Sequence, residues 1–388
     1  MADGPYDAIV VGAGLVGATA ALALGRAGRR VALVDRRRPA ATRGRLGFDV
    51  RTVALTPACF EFLGVDVPDA RVRRMRVWEE EGTGYIEFDS AAVGCDALAH
   101  VVEVGATSAA LWQEAEALDG LDVHCGAVSG LSEGAAAMQV SVGDATLFGR
   151  LVIAADGAES EVRRLAGAEV LGRGDFDAAL ATAVRTERAH GDTALQRFGR
   201  HGPLAFLPLP DARCSAVIWS QDRAVTERLG ALDDAAFLAA LDTASEGVLG
   251  PLEAVDRRYT FALAQRLVRD FNPRPRLLLV GDAAHTVHPL AGQGVNLGIE
   301  DAARLLDVAE GATDLGRPNL WRGFARRRRA RAESMVALMT ALRSAYGYGG
   351  PVGRWLRNVG VRGLDATPAA KRWLIREAMG DGVVARAL

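Results

Sequence analysis

Lysine is almost missing. Lys371 is the only lysine among 46 basic residues, and every other one is arginine. Chemistry that needs a lysine in the body of the chain is therefore excluded. Cysteine is scarce as well. Cys59, Cys95, Cys125 and Cys214 lie far apart with no CxxC. That excludes a zinc ribbon or a dithiol redox motif, and it suits a reducing cytoplasm. A net charge of −2 leaves no bulk basic field to hold nucleic acid. No basic region precedes the first apolar run, so no signal peptide is expected. Nor is there a convincing metal-ligand spacing: His285 and His288 stand alone before Pro289.

What is present has the balance of a globular protein. Apolar residues make up 49% and charged residues 24% of 388 residues, which argues against disorder and fibrous repeats. A chain of this length holds about two to three domain-sized units with sizeable cores. One uncharged stretch, Ala8–Gly25, approaches the length of a membrane span. Glycines at fixed offsets within it point elsewhere.

Tyr6–Val11 reads as a buried parallel strand, a short apolar run ended by glycine. Gly12-Ala-Gly14-Leu-Val-Gly17 follows, then a helical stretch over Ala18–Arg26. A second apolar run, Val31–Val34, ends at Asp35. Strand, GxGxxG, helix, strand and acid in this order form a dinucleotide-binding fingerprint. Gly12 allows the tight turn, Gly14 lets a pyrophosphate approach the backbone, and Gly17 lets helix and strand pack closely. The helix N-terminus offers free N–H groups and the positive end of a dipole. Asp35 can accept from a ribose hydroxyl. This motif alone does not separate FAD from NAD.

Two later motifs choose between them. Leu151–Ala155 is another buried run, ending in Asp156-Gly157 with Ser160 and Arg163 beyond, which gives DGxxSxxR. Leu277–Val280 is a third, ending in Gly281-Asp282-Ala-Ala-His285. Beyond it stand His288-Pro289 and Gly292-Gln-Gly294-Val295-Asn296, with a helix expected from near Gly294 through Ala309. Each strand delivers glycine or acid to the carboxyl edge of a parallel sheet, where ligands bind in open α/β folds. A flavin offers ribityl hydroxyls, which suit Asp282. Its ring edge becomes anionic on reduction, which suits backbone N–H groups at Gly292–Asn296.

In this order, GxGxxG, DGxxSxxR and GDAAH…P…GQGxN resemble the single-component FAD-dependent aromatic monooxygenases. More narrowly, the chain resembles the ubiquinone-biosynthesis hydroxylase family. The narrower match rests on Phe48–Leu55, Gly202–Leu209, Arg258–Leu263, Gly281–Asp301 and Asp365–Arg376. The resemblance implies FAD as cofactor, with Arg51 and Asp156-Gly157 among its contacts, and NAD(P)H as a transient reductant. It also implies O2 as co-substrate, a C4a-hydroperoxide on the flavin as oxygen donor, and a polyprenylated phenol or quinol as substrate. The chain departs from the family in one place. Where the family carries Asn-Arg after Val-Glu, Val102-Glu103 is followed by Val104-Gly105.

The implied fold is α/β, a Rossmann-like FAD-binding domain interleaved with a β-sheet substrate domain, plus a C-terminal helical tail. The FAD-binding parts are expected at 1–73, 99–175 and 265–340, the substrate domain at 74–98 and 176–264, and the tail at 341–388. Strands are visible near Arg76–Glu79, Tyr85–Phe88, Leu180–Arg185, Pro203–Leu209 and Cys214–Ser220, and a helix over Asp233–Leu241. Phe206, Pro208 and Phe261 are candidates for the substrate channel, with core packing as the alternative. His288 is the candidate for phenol activation because it titrates near neutrality beside the expected ring site. Pro289 is expected to pack over the flavin.

Arg326–Arg329 is read as a solvated helix face, because four consecutive residues cover all sides of a helix. The tail from Arg343 mixes basic residues with Trp355, Leu356, Trp373 and Ile375, a composition that can rest on anionic lipid. The expected location is cytoplasmic, with peripheral contact at the inner face of a bacterial membrane, alone or beside other quinone-biosynthesis proteins. Three competing readings share part of the pattern. A soluble hydroxylase of another phenol or polyketide would lack the membrane contact, and a non-catalytic FAD scaffold would not consume NADPH. A flavin halogenase is excluded by the missing lysine.

Overall fold

A computed structural model of the protein describes residues 4–80, 85–199, 202–287 and 293–347. It begins with β1 (Tyr6–Val11), α1 (Leu15–Arg26) and β2 (Val31–Asp35). Next come β3 (Thr52–Leu55), α2 (Pro57–Leu63), β4 (Asp69–Val72), β5 (Arg74–Glu79) and β6 (Tyr85–Asp89). β7 (Ala99–Glu103) leads into α3 (Val104–Ala117). Four strands follow: β8 (Leu121–Cys125), β9 (Val128–Glu133), β10 (Met138–Val142) and β11 (Ala145–Ala154). After α4 (Glu161–Leu165) come β12 (Val170–Thr186), β13 (Thr193–Gly199), β14 (Gly202–Pro208) and β15 (Cys214–Asp222). Then come α5 (Arg223–Ala231), α6 (Asp234–Ser245), β16 (Leu252–Val255) and β17 (Tyr259–Val268). β18 (Leu277–Leu279), β19 (His285–Thr286), α7 (Gln293–Glu310) and α8 (Arg322–Gly347) close the described chain.

Among the described residues the strands form three sheets. The first runs β8-β2-β1-β11-β10-β9, with β18 added beside β11. Its centre is parallel: β1 pairs with β2 and β11, and β11 with β18. These strands read as unbroken apolar runs because both faces are covered. Ala8 and Val10 pack with Leu22, Trp112 and Ile299, whereas Ile9 and Val11 pack with Phe271, Ala325 and Ala332. Helix α1 is rich in alanine, the best helix former, and is buried along most of its length between the sheet and its neighbours.

The second sheet runs β19-β17-β12-β15-β14-β13-β5-β6, with β16 beside β12. Side chains alternate between its faces. Leu180, Val184, Leu204, Phe206, Val217 and Trp219 pack with Phe237 and Leu241 of α6. The opposite face carries Ala179, Ala181, Ala183, Ala205, Ala216 and Ile218, aligned by the β12–β15 and β14–β15 registers. Leu46 and Phe48 pack against part of that face, at Ala183 and Ala216. The third sheet, β3-β7-β4, packs against it near Ala194 and Leu207.

One expectation changes here. Arg326–Arg329 is not a uniformly solvated run, because Arg328 is only 4% exposed and pairs with Glu300 and Asp301. Helix α8 continues past position 340 to Gly347. Residues 348–388, which carry most of the expected tail, lie outside the described residues.

Candidate functional site

The carboxyl ends of β1, β11 and β18 lie side by side, and the first two glycine motifs meet there. A β-carbon on Gly12 would lie 2.3 Å from the Ala155 carbonyl oxygen, and Gly12 has a φ of +105°. Only glycine fits on both counts. A β-carbon on Gly17 would lie 1.9 Å from the Gly12 oxygen, so turn and helix touch backbone to backbone. At Gly14 the same atom would meet nothing within 4 Å. Gly14 also caps α1 without a side-chain hydrogen bond, and no acid occupies the first turn. The leading N–H groups of α1 are thus available to an anion. Asp35 closes the turn by accepting from the Ala13 N–H at 2.7 Å. These features fit a dinucleotide pyrophosphate.

The third motif is folded onto the first. Val280 N–H donates to the Ala154 carbonyl at 3.0 Å, and Gly281 turns with φ +55°. A β-carbon on Gly281 would lie 3.2 Å from a Val16 methyl, and one on Gly298 2.5 Å from the other. Val16 sits inside GxGxxG, so Asp282 and the start of α7 are brought to the dinucleotide turn. Asp282 is open to solvent on one side yet crowded by protein. Desolvation raises its carboxyl pKa above the ordinary value, against the opposing pull of His285. A carboxyl both accessible and crowded lines a cleft, as a ligand for ribityl hydroxyls must.

A buried ion network holds this turn in place. Asp301 accepts from the Gly281 N–H at 2.9 Å, from His285 Nε2 at 2.6 Å and from Arg328 Nε at 2.5 Å. Burial alone would raise the Asp301 carboxyl. His285 and Arg328 outweigh it and bring the pKa to about 2. Arg328 also donates to the Leu297 carbonyl and to Glu300, tying α8 to α7.

The other expected residues divide. Gly294 and Val295 stand half-buried in the first turn of α7. The Asn296 side chain is committed elsewhere: Oδ1 accepts from the Thr56 N–H and Nδ2 donates to the Ala54 carbonyl, both at 2.9 Å. It clamps β3 to α7. Asp156 likewise accepts from the Ser160 hydroxyl and the Val162 N–H, so its carboxylate organises the start of α4. Gly157 has φ +86° and open space where a side chain would stand. Arg51 is half-exposed and pairs with buried Asp49 at 3.4 Å. His288, Pro289 and Gly292 lie outside the described residues.

The departure at Gly105 has a steric partner. Gly105 N–H donates to Asp49 at 3.2 Å, and a β-carbon there would lie 2.7 Å from the same carboxylate. Asp49 thus occupies the space any side chain at 105 would need. Cys59, close by, donates its thiol to the Asn296 carbonyl, and burial pushes its pKa up to about 12, which makes it inert.

On the substrate side, Phe206 and Pro208 are corrected. Both are buried, and Phe206 packs in the core beneath α6. Strand alternation puts Ala205 and Leu207 on the opposite face. Phe261 is on that face, opposite Ala179, and is 36% exposed. Sequence reasoning passed over Asp301, Arg328 and Asp49. Asp301 carried the one available signal, an acid one helical stretch beyond GDAAH.

The sequence pattern of the family described as "FAD binding domain" matches residues 5–339. The 3-demethoxyubiquinol 3-hydroxylase of Escherichia coli (strain K12) is 32% identical, over 98% of this chain and 100% of its own. The ubiquinone hydroxylase UbiL of Rhodospirillum rubrum is 29% identical, over 98% of this chain and 90% of its own. Among solved structures, p-nitrophenol 4-monooxygenase PnpA from Pseudomonas putida DLL-E4 superposes with a TM-score of 0.78. It is 21% identical, and the match covers 97% of this chain and 98% of the other.

Proposed function

The chain belongs to the FAD-binding-domain family of flavoprotein hydroxylases, and on that premise we propose that it hydroxylates the ring of a polyprenylated phenol or quinol in ubiquinone biosynthesis. It is an FAD-dependent aromatic-ring monooxygenase, with NAD(P)H as reductant and O2 as co-substrate. The observation that carries the reading is the meeting of Gly281 and Gly298 with Val16. It gathers the α1 N-terminus, Asp282 and the α7 N-terminus at one sheet edge.

When bound, FAD supplies the reduction of O2 and the transfer of one oxygen atom to the ring. The chain binds, orients and dries the site. Under this proposal the α1 N–H groups and Gly14 hold the pyrophosphate, Asp35 the ribose, and Asp282 the ribityl chain. The start of α7, at Gly294, Val295 and Asn296, would hold the flavin ring and stabilise negative charge on it. Arg51 contributes to the phosphate side. Segments 1–73, 99–175 and 265–340 form the cofactor part, and 74–98 with 176–264 the substrate part. We assign the ring to the sheet face opposite α6, where Ala205 is half-buried and Phe261 is 36% exposed. Under the same proposal His288 is the candidate proton acceptor for the phenol and Pro289 a candidate neighbour of the ring.

No helix among the described residues is long and apolar enough to cross a membrane. We assign the approach of a lipid-soluble substrate to the basic tail beyond Arg343, at the inner face of the membrane. The test is single-turnover chemistry with a short-chain prenylated quinol under ¹⁸O2. One labelled oxygen on the ring and substrate-stimulated NADPH oxidation are expected. NADPH oxidation without a labelled product would contradict the reading.

A further inference from the structure

A cavity of about 610 Å³ opens at the other end of β18 from Gly281. Its walls are the loop entering β18 and the first turns of α8. Five arginines line it, Arg269, Arg274, Arg322, Arg326 and Arg329, against one acid, Asp270. Arg322, Arg326 and Arg329 are spaced four and three apart, so they share one helix face.

The charges are unevenly compensated. Arg269 pairs with Glu169 at 2.7 Å and Arg329 with Glu333 at 2.9 Å. Asp270 accepts from the Asn272 N–H at 2.9 Å. Arg274 donates to the Leu165 carbonyl at 3.3 Å, which neutralises nothing. Arg322 and Arg326 have no acidic partner among the described residues. Three guanidinium groups thus share one concavity in which, among the described residues, the Asp270 carboxylate is the one acid left to offset them. Such a cluster repels itself, and a polyanion relieves that repulsion.

The wall is built to stay in place. Pro273 and Pro275 restrict the loop, and Asn272 Nδ2 donates to the Arg274 and Leu277 carbonyls at 2.8 and 2.7 Å. Arg276 and Asn319 take left-handed backbone with φ of +63° and +68°, a conformation that surrounding contacts must hold. The backbone that carries the arginines is therefore in place before a ligand arrives.

We propose that this cavity is a binding site for a phosphate-bearing anion, remote from the cofactor edge. Guanidinium groups pair with phosphate oxygens in bidentate fashion, and several of them select a group with more than one ionised oxygen over a halide. The cavity has room for more than a bare ion, so the phosphate belongs either to a small soluble ester or to a phospholipid headgroup.

The experiment uses the FAD-loaded enzyme, with inorganic pyrophosphate as one probe and phosphatidylglycerol vesicles as the other. Phosphatidylcholine vesicles and sodium chloride at matched ionic strength are the controls. Wild type is expected to bind at least one probe beyond its control. Arg322→Gln/Arg326→Gln should weaken that binding by about tenfold or more, from the loss of charge-assisted hydrogen bonds. Both residues are exposed, so flavin content and the ligand-free unfolding midpoint should stay unchanged. Arg274→Gln, on the other wall, should weaken binding as well. Binding of pyrophosphate alone assigns a soluble phosphate. Vesicle binding lost in the variants assigns a headgroup. Binding of neither probe, or binding the variants leave intact, overturns the proposal.

Discussion

Gly298 lies so close to Val16 that a β-carbon on the glycine would stand 2.5 Å from a valine methyl. The contact joins α7 to α1 and so joins two motifs separated by most of the chain. Gly298→Ala should therefore act as an overpacking substitution, costing about 1–3 kcal/mol of stability and loosening FAD. Adding Val16→Ala removes the opposing methyl groups and should restore part of both. Thermal unfolding and flavin content of the single and double variants measure this. A double variant no better than Gly298→Ala would assign the loss elsewhere.

Asp282→Ala should leave the fold intact and weaken FAD retention. Charge-assisted hydrogen bonds to hydroxyls contribute about 1.5–3 kcal/mol, or about tenfold to a hundredfold in affinity. Equilibrium dialysis of the apoprotein with FAD is the measurement. Unchanged affinity would reduce Asp282 to a turn residue.

The Asp301 network has a pH signature. Its folded-state pKa is lowered to about 2, below the usual aspartate value, so its stabilising contribution is present at neutral pH. That contribution is lost as pH falls from about 4 through about 2. Asp301→Asn should be less stable at neutral pH, and the gap to wild type should close across that acid range. Arg328→Met should cost about 3–5 kcal/mol, because it strips a partner from buried carboxylates. Urea unfolding at several pH values reads both effects.

Much of the cofactor architecture was legible because it is local. β1, β2 and β11 are apolar runs ended by glycine or acid, and each glycine is needed within a few residues of its strand. The rest depended on long-range pairing. Arg328 sits in a run of like residues with no periodicity to mark it, and its partners lie on another helix. The strand at Gly202–Pro208 is apolar on both faces, so alternation alone did not tell which face held Phe206. The Asn296 side chain carried no local sign of its partners, Ala54 and Thr56, which come from far earlier in the chain.

That face assignment has its own consequence. Phe206→Ala should cost about 3–5 kcal/mol of stability, as for a buried aromatic, with little change in KM for the variant that folds. Ala205→Val, on the opposite face, should do the reverse and raise KM for a ring substrate. Steady-state kinetics beside thermal unfolding would separate the two. A KM change confined to the Phe206 variant would return it to the substrate channel.

The central claim is that this chain hydroxylates a ubiquinone precursor, and the profile of quinone intermediates in cells lacking it tests that most directly. Deletion should cause a prenylated precursor short of a ring oxygen to accumulate. Wild type supplied in trans should clear it, and Asp282→Ala should clear it poorly. An unchanged profile in the deletion strain, with ubiquinone at its normal level, would contradict the account.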